Sequence, residues 1–168
     1  MISKTFEVSI LNAIAQCFNG GSSVVTTVNF PTNGYLALFT VAPSRNPSTG
    51  ELTTGTEVSG GGYARVDLKG TPLSGGHYFN TTAGWSTDHM VIANSVAIQF
   101  PMATASWGSV VAFGIYTAPT GGDLTMAGYL VDENGKKATV LVDANSAVAF
   151  APGQLQISLT DTIPADPA

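Results

Sequence analysis

Hydrophobic and polar residues follow one period at the start of the chain and another in the rest of it. From Phe6 to Phe18 the apolar residues recur at three- and four-residue spacing, which predicts an amphipathic helix over about residues 4–18. Ser3 is suited to cap its start, and Asn19-Gly20-Gly21 is typical of a helix end. An apolar helix face needs a partner surface. We expect this face to pack on one end of its own domain, with docking on another subunit as the alternative.

From Val24 onward, runs of aromatic and β-branched residues are separated by clusters of Gly, Pro, Asn and Ser, a pattern typical of strands joined by turns. The pattern predicts strands at Tyr35–Val41, Tyr63–Lys69, Val96–Phe100, Val110–Tyr116, Leu124–Val131, Ala138–Val142, Ala147–Phe150 and Leu155–Leu159. Several of them alternate between apolar and polar residues, so one face of each is expected to be buried.

The alternation assigns side chains to faces in two of these strands. In Tyr63–Lys69, the apolar residues Ala64, Val66 and Leu68 are predicted to face one way, and Tyr63, Arg65, Asp67 and Lys69 the other. Leu155, Ile157 and Leu159 are predicted to share a face in the last strand. Asn134-Gly135 lies between two strands and predicts a tight hairpin in which both turn residues have positive φ.

Short strands at this spacing, without alternating helices, predict a mainly β fold: an antiparallel β-sandwich or jelly-roll-like domain with one N-terminal α-helix. We expect a single domain over residues 1–168, with the helix at about 4–18, the sandwich at about 24–160 and a short C-terminal tail at 161–168. A chain of this length buries about 70% of its extended surface. The polar segment Ala42–Gly62 is a long excursion between two strands, and such loops are functional, held by a partner, or mobile.

Charge is sparse along the chain, which restricts the classes of partner. Charged residues make up 10% of the sequence and the formal net charge is −5, against about 25% charged residues in typical soluble domains. No basic cluster exceeds Lys136-Lys137, so direct binding of nucleic acid is not expected. No run approaches about 18 apolar residues and no export signal is recognisable, so we expect no membrane span and synthesis inside a cell.

The residue types that catalyse reactions or bind metals occur here in patterns typical of structural roles. Gly60-Gly61-Gly62 leads into a predicted strand, so it predicts a sharp bend and not a phosphate-binding loop. Cys17 is the single cysteine and is interpreted as a packing residue. His77 and His89 lack the neighbouring ligands that a metal-binding helix supplies. The sequence therefore predicts no catalytic, cofactor-binding or metal-binding residue, and no cofactor.

Two tryptophans complete the candidate residues. Trp107 precedes an apolar run and is expected in the core or at a sheet end, whereas Trp85 stands among polar residues. Burial in the core is the favoured interpretation of both. Contact of Trp85 with a carbohydrate or a protein partner is the alternative.

Seven short motifs follow one another along the chain. They are Tyr35–Thr40, Gly55–Arg65, Ala97–Pro101, Trp107–Val110, Phe113–Tyr116, Gly121–Leu124 and Phe150–Leu155. In this order and spacing, and with the predicted helix before the double glycine, they resemble a family of small tailed-bacteriophage virion proteins described as tail-fibre-like or head-decoration proteins. The stretch Thr71–Met90 resembles the family less. It is interpreted as an elaboration of this protein, with Tyr78, Phe79, Trp85 and His89 as its candidate residues.

The resemblance implies a non-enzymatic structural role in a bacteriophage virion. The favoured interpretation is a capsid cement or decoration protein, and the alternative is a tail or fibre component or a host-surface carbohydrate-binding module. The implied location is the virion, on the capsid surface in preference to the tail, after synthesis in the host bacterial cytoplasm. The expected partners are the major capsid protein or other virion proteins, bound by a homo-trimer through the N-terminal helix and the Ala42–Gly62 loop.

Overall fold

The computed structural model of this chain describes residues 34–69, 78–79, 84–85 and 90–159, and these residues form strands joined by turns. The strands are β1 (Tyr35–Val41), β2 (Thr56–Glu57), β3 (Val66–Asp67), β4 (Gly84–Trp85), β5 (Met90–Ala93), β6 (Ile98–Gln99), β7 (Gly108–Val110), β8 (Ala112–Tyr116), β9 (Leu124–Tyr129), β10 (Val140–Val142), β11 (Ala149–Phe150) and β12 (Gln156–Leu159). Their pairings are antiparallel, which confirms the predicted mainly β fold class. The predicted N-terminal helix, Cys17 and the C-terminal tail lie outside the described residues.

A five-stranded sheet forms the centre of the described fold. β1 pairs along one edge with β8, and β8 pairs with β9. Two short strands share the other edge of β1: β2 pairs at Phe39↔Glu57, and β3 pairs at Leu36↔Val66. The chain between β2 and β3 therefore leaves the sheet and returns to the same edge, and the run of glycines lies in this detour.

The main hydrophobic core lies between the five-stranded sheet and three smaller sheets, in which β10 pairs with β7, β11 pairs with β6, and β5 pairs with both β12 and β4. Facing sheets bury their apolar side chains against each other in this way in a β-sandwich. The buried members of the main core are Leu36, Leu38, Val58, Ile98, Phe100, Ala103, Trp107, Val110, Ile115, Val142, Phe150 and Leu155. Trp107 is thus a core residue, as its sequence context predicts.

The opposite face of β1 is also buried. Ala37 and Phe39 alternate with the main-core residues of β1 and lie fully buried in a second cluster. Leu52, from the Ala42–Gly62 excursion, packs against this second cluster and pairs with Arg45 in an antiparallel bridge. The excursion is therefore ordered on its own sheet, while its contact with a partner stays a prediction.

The prediction of a strand at Tyr63–Lys69 is wrong in part. Its ladder with β1 is confined to β3, where Val66 packs against the main core as expected. Ala64 is exposed, and Tyr63 and Arg65 are largely covered, which reverses the predicted faces at these three positions. The reason is that the glycine detour turns the chain immediately before Tyr63, so the two-residue alternation begins only at β3.

The hairpin predicted at Asn134-Gly135 is present, with a different turn. The N–H of Asp132 donates to the carbonyl of Lys136 at 2.8 Å, and the N–H of Gly135 donates to the carbonyl of Asp132 at 3.0 Å. Gly135 has a φ of 76°, whereas Asn134 is not among the residues of positive φ. A three-residue hairpin loop that ends in a left-handed glycine needs only one positive φ, so the prediction of two was wrong.

Candidate functional site

The three glycines form a tight turn that is fixed on Trp107. Gly60, Gly61 and Gly62 have φ values of 73°, 55° and 74°, and the N–H of Tyr63 donates to the carbonyl of Gly60 at 2.9 Å. The carbonyl of Gly61 accepts the indole N–H of Trp107 at 2.9 Å. Because the turn leads into β3 and not into a helix, the predicted sharp bend is confirmed, and its peptide groups are used within the fold.

Opposite charges on the two sides of this turn meet in a bidentate ion pair. Arg65 Nε donates to Glu57 Oε1 at 2.8 Å, and Arg65 Nη2 donates to Glu57 Oε2 at 2.6 Å. The Arg65 side chain is 7% exposed and that of Glu57 is 23% exposed. The two parallel hydrogen bonds match the planar guanidinium to the planar carboxylate, and the bond to Glu57 raises the pKa of Arg65.

The remaining side of the Arg65 guanidinium holds the loop between β8 and β9. Arg65 Nη1 donates to the carbonyls of Ala118 and Gly121, each at 2.7 Å. The guanidinium carbon lies 3.5 Å from the centre of the Tyr116 ring, a distance typical of a cation–π contact. One arginine thus connects the glycine detour to the β8–β9 hairpin.

Tyr63 closes the gap that the detour leaves in the sheet. Its hydroxyl accepts the N–H of Leu38 at 2.9 Å and donates to Glu57 Oε1 at 3.0 Å. Leu38 lies in β1, on the edge where the chain between β2 and β3 has left the ladder. The hydroxyl therefore replaces a missing strand partner. Burial, and the neighbouring Glu57 carboxylate, raise the pKa of Tyr63.

These four side chains, Glu57, Tyr63, Arg65 and Tyr116, form what we call the Arg65 network. Both oxygens of Glu57 accept hydrogen bonds from its members. The raised pKa values of Tyr63 and Arg65 favour their protonated forms, in which both side chains donate hydrogen bonds to Glu57. The network is therefore suited to joining β1, β2 and the β8–β9 hairpin.

A second polar centre, at Asn94, was not predicted from the sequence. Its side chain is buried, and Nδ2 donates to the carbonyls of Val96 at 2.8 Å and Ala151 at 2.9 Å. Its Oδ1 accepts the N–H of Leu155 at 2.8 Å. Asn94 thus fastens the start of the last strand to the β5–β6 connection. A single asparagine among mostly apolar residues carries no specific sequence signal for this role.

The other residues singled out from the sequence are placed as follows. Tyr78 and Phe79 are partly buried against the main core. Trp85 belongs to β4, and its side chain lies outside the described part of the chain, as do His77 and His89. Among the described residues, no group of three or more His, Cys, Asp or Glu side chains is placed to hold a metal ion, and no helix is long and apolar enough to cross a membrane.

The described residues form an antiparallel β domain, and a family comparison shows the class of protein to which it belongs. The family model of podophage GP4 fiber I protein gp80 matches residues 2–158. The chain belongs to this family, which confirms the resemblance to tail-fibre-like virion proteins of tailed bacteriophages. No match was found among curated proteins. The protein is therefore a bacteriophage virion protein of a fibre family.

Proposed function

We propose that this chain is a non-enzymatic structural subunit of a podophage fibre. The observation that carries the proposal is the family match over residues 2–158, whose description names a fibre protein. The capsid cement or decoration role favoured from the sequence receives no support from that match, and the tail or fibre alternative agrees with it. The binding of a host-surface carbohydrate through Trp85 stays a prediction.

The geometry of the Arg65 network agrees with a subunit that withstands mechanical force. A fibre subunit must keep its shape while it is attached at one point and pulled at another, and the network connects three separate parts of the chain through Glu57, Arg65 and Tyr63. Hydrogen bonds to charged groups contribute about 1.5–3 kcal/mol each to stability. We expect the partners of the subunit to be other virion proteins, and the homo-trimer remains part of the proposal.

The test is a phage in which a nonsense codon removes this chain. We expect particles grown without it to keep filled, heat-stable heads, to lack fibres in negative-stain images and to adsorb poorly to the host. Suppression of the nonsense codon should restore the fibres. Heads that lose their DNA on mild heating, with fibres still present, would contradict the proposal and favour a capsid cement.

A further inference from the structure

The second cluster of the five-stranded sheet lies on the face opposite to the main core. Its buried members, contributed by β1, β8 and β9, are Ala37, Phe39, Ala112, Tyr116, Leu124 and Ala127. An apolar sheet face is buried only when another element of structure packs against it. This face therefore lies inside the domain and not at its surface.

Phe39 shows how completely this face is covered. Its ring lies over Gly114, where an added Cβ would come within 2.9 Å of it, and it stacks on Tyr116 with the ring centres 6.2 Å apart. The side of the ring that points away from the sheet is inaccessible too, because Phe39 is 0% exposed. This burial is reached within a single chain, so the cover is part of the chain itself.

The described residues supply only part of this cover. The partly buried apolar residues that pack on the second cluster are Tyr35, Ala42, Leu52 and Val111. Tyr35 belongs to β1, Ala42 directly follows it and Val111 directly precedes β8. Within the described ranges, Leu52 is thus the one large aliphatic side chain of this group that comes from outside the sheet. One leucine is smaller than a face of three strands, so the cover requires further apolar side chains.

The segments outside the described residues differ sharply in apolar content. Four of them contain only two large aliphatic residues between them, Leu73 and Ile163; these segments are residues 70–77, 80–83, 86–89 and 160–168. The segment that precedes β1 is different, because it contains the predicted amphipathic helix. The apolar face of that helix comprises Phe6, Ile10, Ala13, Ile14, Cys17 and Phe18. This is the segment with enough apolar surface to complete the cover.

We propose that the predicted helix at residues 4–18 packs across the second cluster of its own chain. A helix of 15 residues is about 22 Å long and about 10 Å wide. β1, with 7 residues, is about 23 Å long, and three strands are about 14 Å wide, so the dimensions match. Residues 19–33 reach up to about 50 Å and join the helix to Gly34, directly before β1.

The proposal concerns the surfaces that remain for other virion proteins, and it does not depend on the role of the chain in a fibre. The sequence alone suggested one end of the domain, or another subunit, as the partner of the helix. A helix that completes the second layer of its own domain has its apolar face occupied. Contacts with other proteins then fall to the rest of the surface.

The test places a charge on each face of the predicted helix. Ile10→Glu introduces a carboxylate at the centre of the apolar face, and the control Asn12→Glu introduces one on the opposite, polar face. Hydroxyl-radical footprinting of the full chain, analysed by mass spectrometry, measures the accessibility of single aromatic side chains. Phe39 reports on the second cluster, and Phe100, 1% exposed in the main core, reports on the fold as a whole.

We expect the modification rate of Phe39 to rise several-fold in Ile10→Glu, with Phe100 still protected, and to stay at the wild-type value in Asn12→Glu. If the charge unfolds the domain and exposes Phe100, the milder Ile10→Thr gives the same comparison. Unchanged protection of Phe39 in the Ile10 variants, or an equal rise in Asn12→Glu, would overturn the proposal, since another segment then covers the face. Wild-type protection that is lost on dilution from about 50 µM to about 0.5 µM would overturn it as well, because the cover would then come from a second copy.

Discussion

Gly61 shows how a single residue with no side chain determines the path of the chain. Its φ is 55°, and a Cβ added there would lie 2.8 Å from the carbonyl oxygen of Ala105 and 3.0 Å from the indole of Trp107. Both the backbone conformation and the lack of space therefore require glycine. Gly60 has the same left-handed conformation, and a Cβ there would meet nothing within 4 Å.

This contrast makes the two glycines a matched pair for substitution. Gly60→Ala places an alanine in the left-handed conformation, which should lower the free energy of unfolding by about 1–2 kcal/mol. Gly61→Ala introduces the same strain and also forces the turn away from Trp107. We therefore expect its free energy of unfolding to fall by at least about 1–2 kcal/mol more than that of Gly60→Ala. Urea denaturation measures both values. Equal losses in the two variants would show that the turn does not depend on close packing against Trp107.

At Asn94, a substitution of nearly identical shape removes the two N–H donors and places a carboxyl group in a buried site. In Asn94→Asp, a carboxylate oxygen replaces the amide group that donates to the carbonyls of Val96 and Ala151, so acceptors face acceptors in a buried site. We expect the free energy of unfolding to fall by about 2–4 kcal/mol. Asn134→Asp, at an exposed turn position, is the control and should change stability by less than about 0.5 kcal/mol. A loss at Asn94 as small as the control would contradict this account.

The raised pKa of Tyr63 makes the stability of the fold depend on pH in the alkaline range. Burial raises its pKa, so the folded protein holds the phenol proton more tightly than the unfolded chain does. Its contribution is fully present below the unfolded value of about 10 and is lost as pH rises above it, at up to about 1.4 kcal/mol per pH unit. Tyr116 acts in the same direction, since burial raises its pKa too.

Tyr63→Phe should therefore have two effects on the free energy of unfolding. At pH 7, the variant leaves the N–H of Leu38 without its acceptor and should lose about 1–3 kcal/mol. Above about pH 10 its stability should fall less steeply than that of the wild type. Urea titrations at several alkaline pH values give both profiles. Parallel profiles would contradict the assignment of the alkaline loss to this tyrosine.

Among the structural elements, the β8–β9 hairpin depends on a residue far away in the sequence. Its loop is held from outside by Arg65, through the carbonyls of Ala118 and Gly121. It is also closed from within, since the N–H of Thr117 donates to the carbonyl of Asp123 at 3.1 Å. Loss of the arginine should therefore loosen the loop without opening the strands.

Arg65→Lys tests this connection while keeping the charge. A lysine cannot reproduce the planar, bidentate contact with Glu57 or reach both loop carbonyls, so we expect a loss of about 1–3 kcal/mol in free energy of unfolding. Amide hydrogen exchange should accelerate across residues 117–123. Arg45→Lys, at an exposed arginine, is the control and should leave that exchange unchanged. Unaltered exchange in the Arg65 variant would mean that the loop is held by its own turn.

Elements that form through local pattern were predicted well, and those that form through distant contacts were not. β1 has the bounds expected from its apolar run, and Leu155 is buried beside an exposed Gln156, as their alternation indicates. β2, β4 and β5 were not predicted, because strands of only two to four residues are defined more by their partners than by their own pattern. The pairing of Glu57 with Arg65 was also missed, since it requires knowing that both flank a turn that brings the chain back to one edge of β1.

At the scale of the whole molecule, the uneven distribution of charge connects the fold to assembly. The charged residues of the described C-terminal half lie in hairpins and turns, such as Asp132 and Lys136, whereas residues 98–110 contain no charged residue. This uneven distribution of charge agrees with the proposal that the chain is a subunit of a larger particle.

The central claim is that this chain is a fibre subunit, and its position on the particle tests that claim most directly. Antibodies raised against the purified chain and labelled with gold should be imaged on intact virions, with particles lacking the chain as the control. We predict gold at the tail end of the particle, along its fibres. Gold spread evenly over the surface of the head, with none on the fibres, would contradict the account.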